Sequence, residues 1–393
     1  MSDTSNITGD GNTVLQDINA GGDVNITIAE GLPPEVKQKK ESLKTKVQVL
    51  AKELTALNDQ AQAETDAPAF EPPDDPAYAK IKWRRLLNSI RSQTCVLFIG
   101  PEISMNAAGK SIHNEFYKEI AQEFSGVEFL DNEGFFSPGA DSKIFTEMLL
   151  YYKEDFPKEN KIGRSLLEEF AKLPFSLIIS LCPDDTMHGV LSDAGLDHTF
   201  VSYDGTKQDV EPPSKEKPVV YNLIGNAAKD GKYIFTHENF YEYLKNIKIP
   251  DEIKKMIQSP LDFLFIGFDF SKWYNRLLLF ILGFEQIESD NRFIVENKSI
   301  EKDVKTFIND QFKITFVEND YAKFVDWLSK NAAQKGIQKI VEQTFVDNNF
   351  KALKAIGVNI TDKNTMDDLT DLERETQTLE LNVERFKKRI ITT

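Results

Sequence analysis

The chain has 393 residues, 40% of them hydrophobic and 28% charged, which is enough for a full-sized core plus smaller modules. Its formal net charge of −16 argues against a nucleic-acid partner, because non-specific binding to phosphate backbones is driven by counterion release onto Lys and Arg. No apolar run is long enough to span a bilayer, and the start, MSDTSNITGDGN, lacks the basic and apolar regions of a signal peptide, so the expected setting is the cytoplasm with no membrane partner.

Residues 1–32 hold a near-repeat, Gly9-Asp10-Gly11-Asn12-Thr13-Val14 and Gly22-Asp23-Val24-Asn25-Ile26-Thr27. Each Gly-Asp supplies a turn, and each following run alternates polar with β-branched residues, so two short strands are expected. Two strands cannot bury a core. They either pair with copies from other chains, as an oligomerisation segment, or stay flexible. Pro33 and Pro34 then open a helix over 33–66, in which Leu43, Val47, Leu50, Leu54 and Leu57 recur at alternating spacings of four and three. That is a heptad seam, open to packing on its own domain or to self-association as a coiled coil. A proline-rich linker follows at 67–77.

From 78 to about 330 apolar runs alternate with amphipathic stretches. The first run, Cys95 to Ile99, passes at once into Gly100-Pro101-Glu102 and Ser104. An unbroken apolar run bounded by glycine reads as a buried parallel strand. Helical stretches are expected at 81–90, 112–124, 143–152 and 162–173. Further strand runs are Phe175 to Leu181, ending in Cys182-Pro183-Asp184-Asp185; Val219 to Ile224, meeting Gly225; and Phe263 to Ile266, meeting Gly267 and Phe268. Shorter ones follow at 293–295 and 314–317. Strands alternating with helices, with a glycine or acid at each main carboxyl end, indicate a doubly wound α/β domain. Its ligand site is expected outside those ends, with phosphates against a helix N-terminus. Both cysteines, Cys95 and Cys182, lie inside strand-like runs and read as reduced core thiols. The remainder, 331–393, is a helical extension whose Leu369, Leu372, Thr376, Leu379, Val383, Phe386 and Ile390 form a second stripe, able to pair with the first or with other subunits.

The four carboxyl-end turns, in this order, resemble the SIR2-like family of sirtuin deacylases and NAD-hydrolysing effectors of prokaryotic anti-phage defence. Gly100-Pro101-Glu102-Ile103-Ser104 stands where the family has Gly-Ala-Gly-x-Ser, and Ser180-Leu181-Cys182-Pro183-Asp184 where it has Thr-Thr-Asn-Tyr-Asp. Tyr221 to Gly225 stands for a strand ending in His-Gly, and Ile266 to Trp273 for Gly-Tyr-Ser-x-x-Asp; Trp273 to Arg276 is similar to the defence branch. The resemblance implies a Rossmann-like sheet and an NAD or related nucleotide against Gly100, Glu102, Ser104, Cys182, Asp184, Ile224, Gly225, Gly267 and Phe268.

It also implies losses. Glu102 replaces the glycine that lets the backbone approach a pyrophosphate; two like charges at ~4 Å repel by about 4 kcal/mol at an effective dielectric near twenty, so binding is expected to be weak. Cys182 replaces an asparagine and Ile224 the general-base histidine, and general acid–base catalysis is worth roughly a hundred- to ten-thousand-fold. Asp184 is kept, with His188 four residues on as a candidate rescue; alternatively Asp184 only caps the next helix. No P-loop, Cys-x-x-Cys or His-Glu-x-x-His is present, so no metal is expected. The leading expectation is a pseudoenzyme, an assembly, scaffold or sensor subunit of bacterial anti-phage defence, as a homo-oligomer or with an effector protein. The alternative is an NAD hydrolase that depletes NAD on activation.

Overall fold

The computed structural model describes residues 26–62, 81–206, 208–229, 233–259, 261–287, 292–296 and 300–391. The expected N-terminal strands, through residue 25, and the proline-rich linker lie outside them. The chain divides into two compact units, one of Thr65–Val341 and one of Met1–Glu64 together with Glu342–Thr393.

The larger unit carries nine strands among its described residues: β1 (Cys95–Ile99), β2 (Phe129–Leu130), β3 (Phe135–Phe136), β4 (Leu177–Ser180), β5 (Thr199–Ser202), β6 (Val219–Asn222), β7 (Asp262–Ile266), β8 (Arg292–Glu296) and β9 (Ile314–Glu318). Seven of them make one parallel sheet in the order β5-β6-β4-β1-β7-β8-β9, while β2 and β3 form a small antiparallel hairpin. The chain moves outward from β1 to β4, then returns to the other side of β1 as β7. This is a Rossmann-like doubly wound sheet, as expected, with its reversal of direction between β1 and β7.

Alternate residues of each strand feed different layers. Leu97, Ile99, Ile178, Leu264 and Ile266 pack with the helices Trp83–Arg91, Lys161–Ala171, Thr186–Asp193 and Tyr321–Gln334. Val96, Phe98, Ile179, Phe263 and Phe265 pack with the helices His237–Asn246, Asp251–Ile257, Trp273–Ile281 and Lys302–Phe312. Covering on both faces is why the central strands read as unbroken apolar runs. A third cluster joins the helices Ile112–Glu123 and Asp141–Glu154 to β3, Tyr233 and Phe235 at the carboxyl end of the sheet.

β1 and β7 pair in register from Cys95 with Asp262 to Ile99 with Ile266, so Gly100 and Gly267 come opposite each other. A Cβ on Gly100 would stand 2.2 Å from the Gly267 carbonyl oxygen; one on Gly267, at φ +72°, would stand 2.5 Å from the Gly100 oxygen. Both glycines are required by this contact between main chains.

In the other unit the two heptad stripes meet each other. Leu43, Val47, Leu50, Leu54 and Leu57 of the helix Pro34–Gln62 are buried, as are Leu369, Leu372, Thr376, Leu379, Val383 and Phe386 of the helix Met366–Phe386, and these two helices pack together. Part of the helix Gln338–Asp362 joins them: Phe345 stacks on Phe386 with ring centres 3.7 Å apart. Lys40, fully buried, is held at one end, its Nζ donating to the Thr361 carbonyl at 3.1 Å and to Asn364 Oδ1 at 2.8 Å. The described residues of both stripes are thus buried within the chain.

Gly100→Ala is expected to lower the unfolding free energy by about 1–3 kcal/mol, the usual cost of forcing atoms into a packed interior. Urea denaturation measures it, and an unchanged midpoint would contradict the glycine contact.

Candidate functional site

The turn after β1 is a single 3₁₀ turn, Pro101–Ile103, and its main-chain donors can be followed one by one. Gly100 N–H donates to the Ile266 carbonyl at 2.8 Å and Glu102 N–H to Gly267 at 2.9 Å; Ile103 N–H donates to Gly100 at 3.3 Å and Ser104 N–H to Pro101 at 3.1 Å. Pro101 has no N–H. Every N–H that could cradle a phosphate here already has an acceptor inside the protein. Glu102, only 7% exposed, lines the cleft above the turn.

That cleft lies at the carboxyl end of the sheet, with a void of about 690 Å³ counted out to its open mouth. Its walls are aromatic, with Tyr117, Phe135, Tyr233, Phe240 and Tyr274, and its charged lining is Glu102, Asp269 and Lys272. Lys272 Nζ donates to the Asp131 carbonyl, while Asp269 Oδ1 accepts the Ser271 N–H at 2.9 Å. Burial, then Asp269, then Glu102 hold the Tyr274 hydroxyl far above its ordinary pKa, so both carboxylates act on one space.

Of the positions implied by the family resemblance, Glu102 and Ile224 meet on the cleft, and the others are not among its lining residues. Gly100 and Gly267 are consumed by their mutual contact. Ile224 lines the cleft, and Gly225 turns the chain at φ +93°. Ser104 is buried, its carbonyl accepting the Ile112 N–H at 3.0 Å. Cys182, 4% exposed, packs into the core; its N–H donates to Ser180 Oγ at 3.1 Å, and burial pushes its thiol well above the usual range. A buried, protonated thiol is no nucleophile. Phe268 packs into the core against Phe98, Phe265 and Phe270.

His188 and Asp184 do not form the expected pair. His188 Nδ1 lies 2.7 Å from His198 Nε2, and its ring stacks on Phe200, whereas the helix begins only at Thr186, after Asp184. The histidine beside Asp184 is His113, the second residue of the helix Ile112–Glu123, whose N-cap Ser111 accepts the Asn114 N–H at 3.4 Å. His113 Nε2 stands 3.8 Å from Asp184 Oδ2, and neither atom has a hydrogen bond. On the other side of the ring, His113 Nδ1 lies 2.8 Å from the Tyr152 hydroxyl, which lies 2.9 Å from that of Tyr117; the Tyr117 hydroxyl in turn lies 2.9 Å from that of Tyr233 at the cleft wall. A buried polar chain therefore runs from the cleft wall to His113 and faces Asp184 across the last gap. Asp184 Oδ1 accepts the Thr186 N–H at 2.8 Å, the first N–H of the next helix, and Asn222 donates to the Asp184 carbonyl at 2.9 Å. Sequence reasoning missed His113 and the tyrosines; the one signal was a histidine just after the first glycine turn.

Burial dominates the titration of this pair. It pushes Asp184 up to about 6 against the opposing Thr186 hydrogen bonds, and it pushes His113 down to about 3. Among the described residues no group of three or more His, Cys, Asp or Glu is placed to hold a metal ion, and no helix is long and apolar enough to cross a membrane.

Residues 177–304, from β4 into the helix Lys302–Phe312, match the family model described as SIR2-like domain. The match begins after the Gly100 turn. No curated protein matches the chain.

Asp184 has a raised folded pKa, so its contribution to stability is complete below its unfolded value of 3.8 and is lost as pH rises through about 6. His113 has a depressed one, so its contribution is complete above 6.5 and is lost as pH falls toward 3. Asp184→Asn is therefore expected to raise stability at pH 7.5 by roughly 2–3 kcal/mol, since each tenfold change in proton affinity is worth about 1.4 kcal/mol, with little gain at pH 4. Urea titrations at the two pH values check this; a loss at pH 7.5 would show the ionised carboxylate to be favourably held.

Proposed function

We propose that the chain is a SIR2-like protein that has given up dinucleotide cleavage and works as a scaffold or sensor subunit, in the setting of bacterial anti-phage defence implied by the Trp273 to Arg276 resemblance. The observation that carries this reading is Ile224: it lines the cleft and can move no proton, and the resemblance implies the family's histidine at this position. Cys182 and His188 offer no substitute, the one buried and protonated, the other engaged with His198. The residues present do not fit a dinucleotide, since the first turn has no N–H to give and carries an acid. With the described residues of both heptad stripes buried inside the chain, this reading gives association into a homo-oligomer or with an effector to the segment preceding Ile26.

One observation favours a second reading, an NAD hydrolase. His113 and Asp184 are a buried acid–base pair with an unpaired atom each, the kind of unmatched polar site that often has a function.

Purified full-length protein incubated with NAD is expected to release no nicotinamide above the uncatalysed background. Release that disappears in both His113→Gln and Asp184→Asn would establish the second reading. Light scattering over a range of concentrations should give a mass above one chain; a monodisperse monomer would remove the assembly part.

A further inference from the structure

The misfit between this cleft and a dinucleotide has a direction, because what repels a phosphate here would hold something else. The lining carboxylates are Glu102 and Asp269, against a single lining lysine, Lys272, whose Nζ donates to the Asp131 carbonyl and keeps its charge. A phosphoryl group would meet a lining with two carboxylates to one lysine, and a turn whose main-chain N–H groups from Gly100 to Ser104 are all engaged. The same surface suits a ligand that donates hydrogen bonds. Asn275, 2% exposed and lining the cleft, donates through Nδ2 to the Asp269 carbonyl at 2.8 Å, and its Oδ1 has no partner. Buried polar atoms left without partners are uncommon in folded proteins, and one on a cleft-lining residue marks a place for a ligand's polar group.

The walls add a second requirement. Tyr117, Phe135, Tyr233, Phe240 and Tyr274 present ring surface, which favours a flat aromatic group and most of all a cationic one, since ring faces attract positive charge.

We infer that the cleft binds a phosphate-free aromatic nucleoside, preferentially a cationic one, with its hydroxyl and amide donors on Asn275 Oδ1 and the carboxylates of Glu102 and Asp269. The inference rests on the proposed loss of dinucleotide cleavage but fails separately from it, because it concerns binding alone. Asp269, Glu102 and the aromatic walls select the ligand; the absence of free main-chain N–H groups on the first turn disfavours its phosphorylated form.

Two probes that differ by one phosphate test it: nicotinamide riboside, which is cationic, and nicotinamide mononucleotide. Calorimetry on the full chain at pH 7.5 and low salt should show the riboside binding at least tenfold more tightly than the mononucleotide, with neutral adenosine in between. The near-isosteric Glu102→Gln should narrow that ratio severalfold, and Asn275→Leu should weaken the riboside without restoring the mononucleotide. Circular dichroism melts of each variant confirm that it is folded. Binding of the mononucleotide as tight as or tighter than the riboside would overturn the inference, as would no heat from any of the three probes. Nicotinamide release measured in the same samples reports on the cleavage question independently.

Discussion

Gly100 and Gly267 meet main chain to main chain, and the placement of the whole cleft follows from that contact. β1 and β7 run in register for five residues and their turns then cross at a distance no side chain would allow. Pressing the turns together uses the Glu102 N–H on Gly267 and the Gly100 N–H on Ile266. The arrangement is stable because these buried donors are paired. It is also closed, because the donors that a phosphate would need are the ones it consumes.

The chemistry of the cleft follows from what the closed turn leaves. Glu102 stands over it and shares a field with Asp269, so the opening is acidic where a nucleotide-binding fold is ordinarily receptive to anions. Behind the wall, Tyr233, Tyr117, Tyr152, His113 and Asp184 form a polar chain buried against aromatic rings. Such a network is costly when any member is unsatisfied, and here the gap between His113 and Asp184 leaves two atoms unpaired. Proteins that keep costs of this kind commonly keep them at sites under functional demand.

The central strands were legible because each is covered on both faces: Cys95 to Ile99 and Phe263 to Ile266 have no polar interruption, and a glycine ends each run. β5 was not, since Thr199–Ser202 is an edge strand of four residues, all only half-buried, with no apolar run to announce it. The hairpin β2–β3 was hidden in a turn-rich stretch because strands of two residues carry no period. The heptad stripes were plain, yet their partner was not, because an apolar seam fixes a face to be covered and leaves open what covers it. Of the site, Glu102 and Ile224 were expected at the cleft from turn order and both line it, whereas Cys182 packs into the core. Pairing His188 with Asp184 relied on helical spacing, and failed because Asp184 precedes the helix. His113 reaches Asp184 from another element 71 positions away, by packing alone.

The central claim is that the Gly100 turn is closed to phosphate. A crystal structure of the protein grown with ADP-ribose at high concentration tests it most directly. The closed turn predicts no pyrophosphate density on residues 100–104, with the Glu102 amide still on the Gly267 carbonyl. A pyrophosphate seated on that amide, with the Glu102 carboxylate swung out of the cleft, would contradict it.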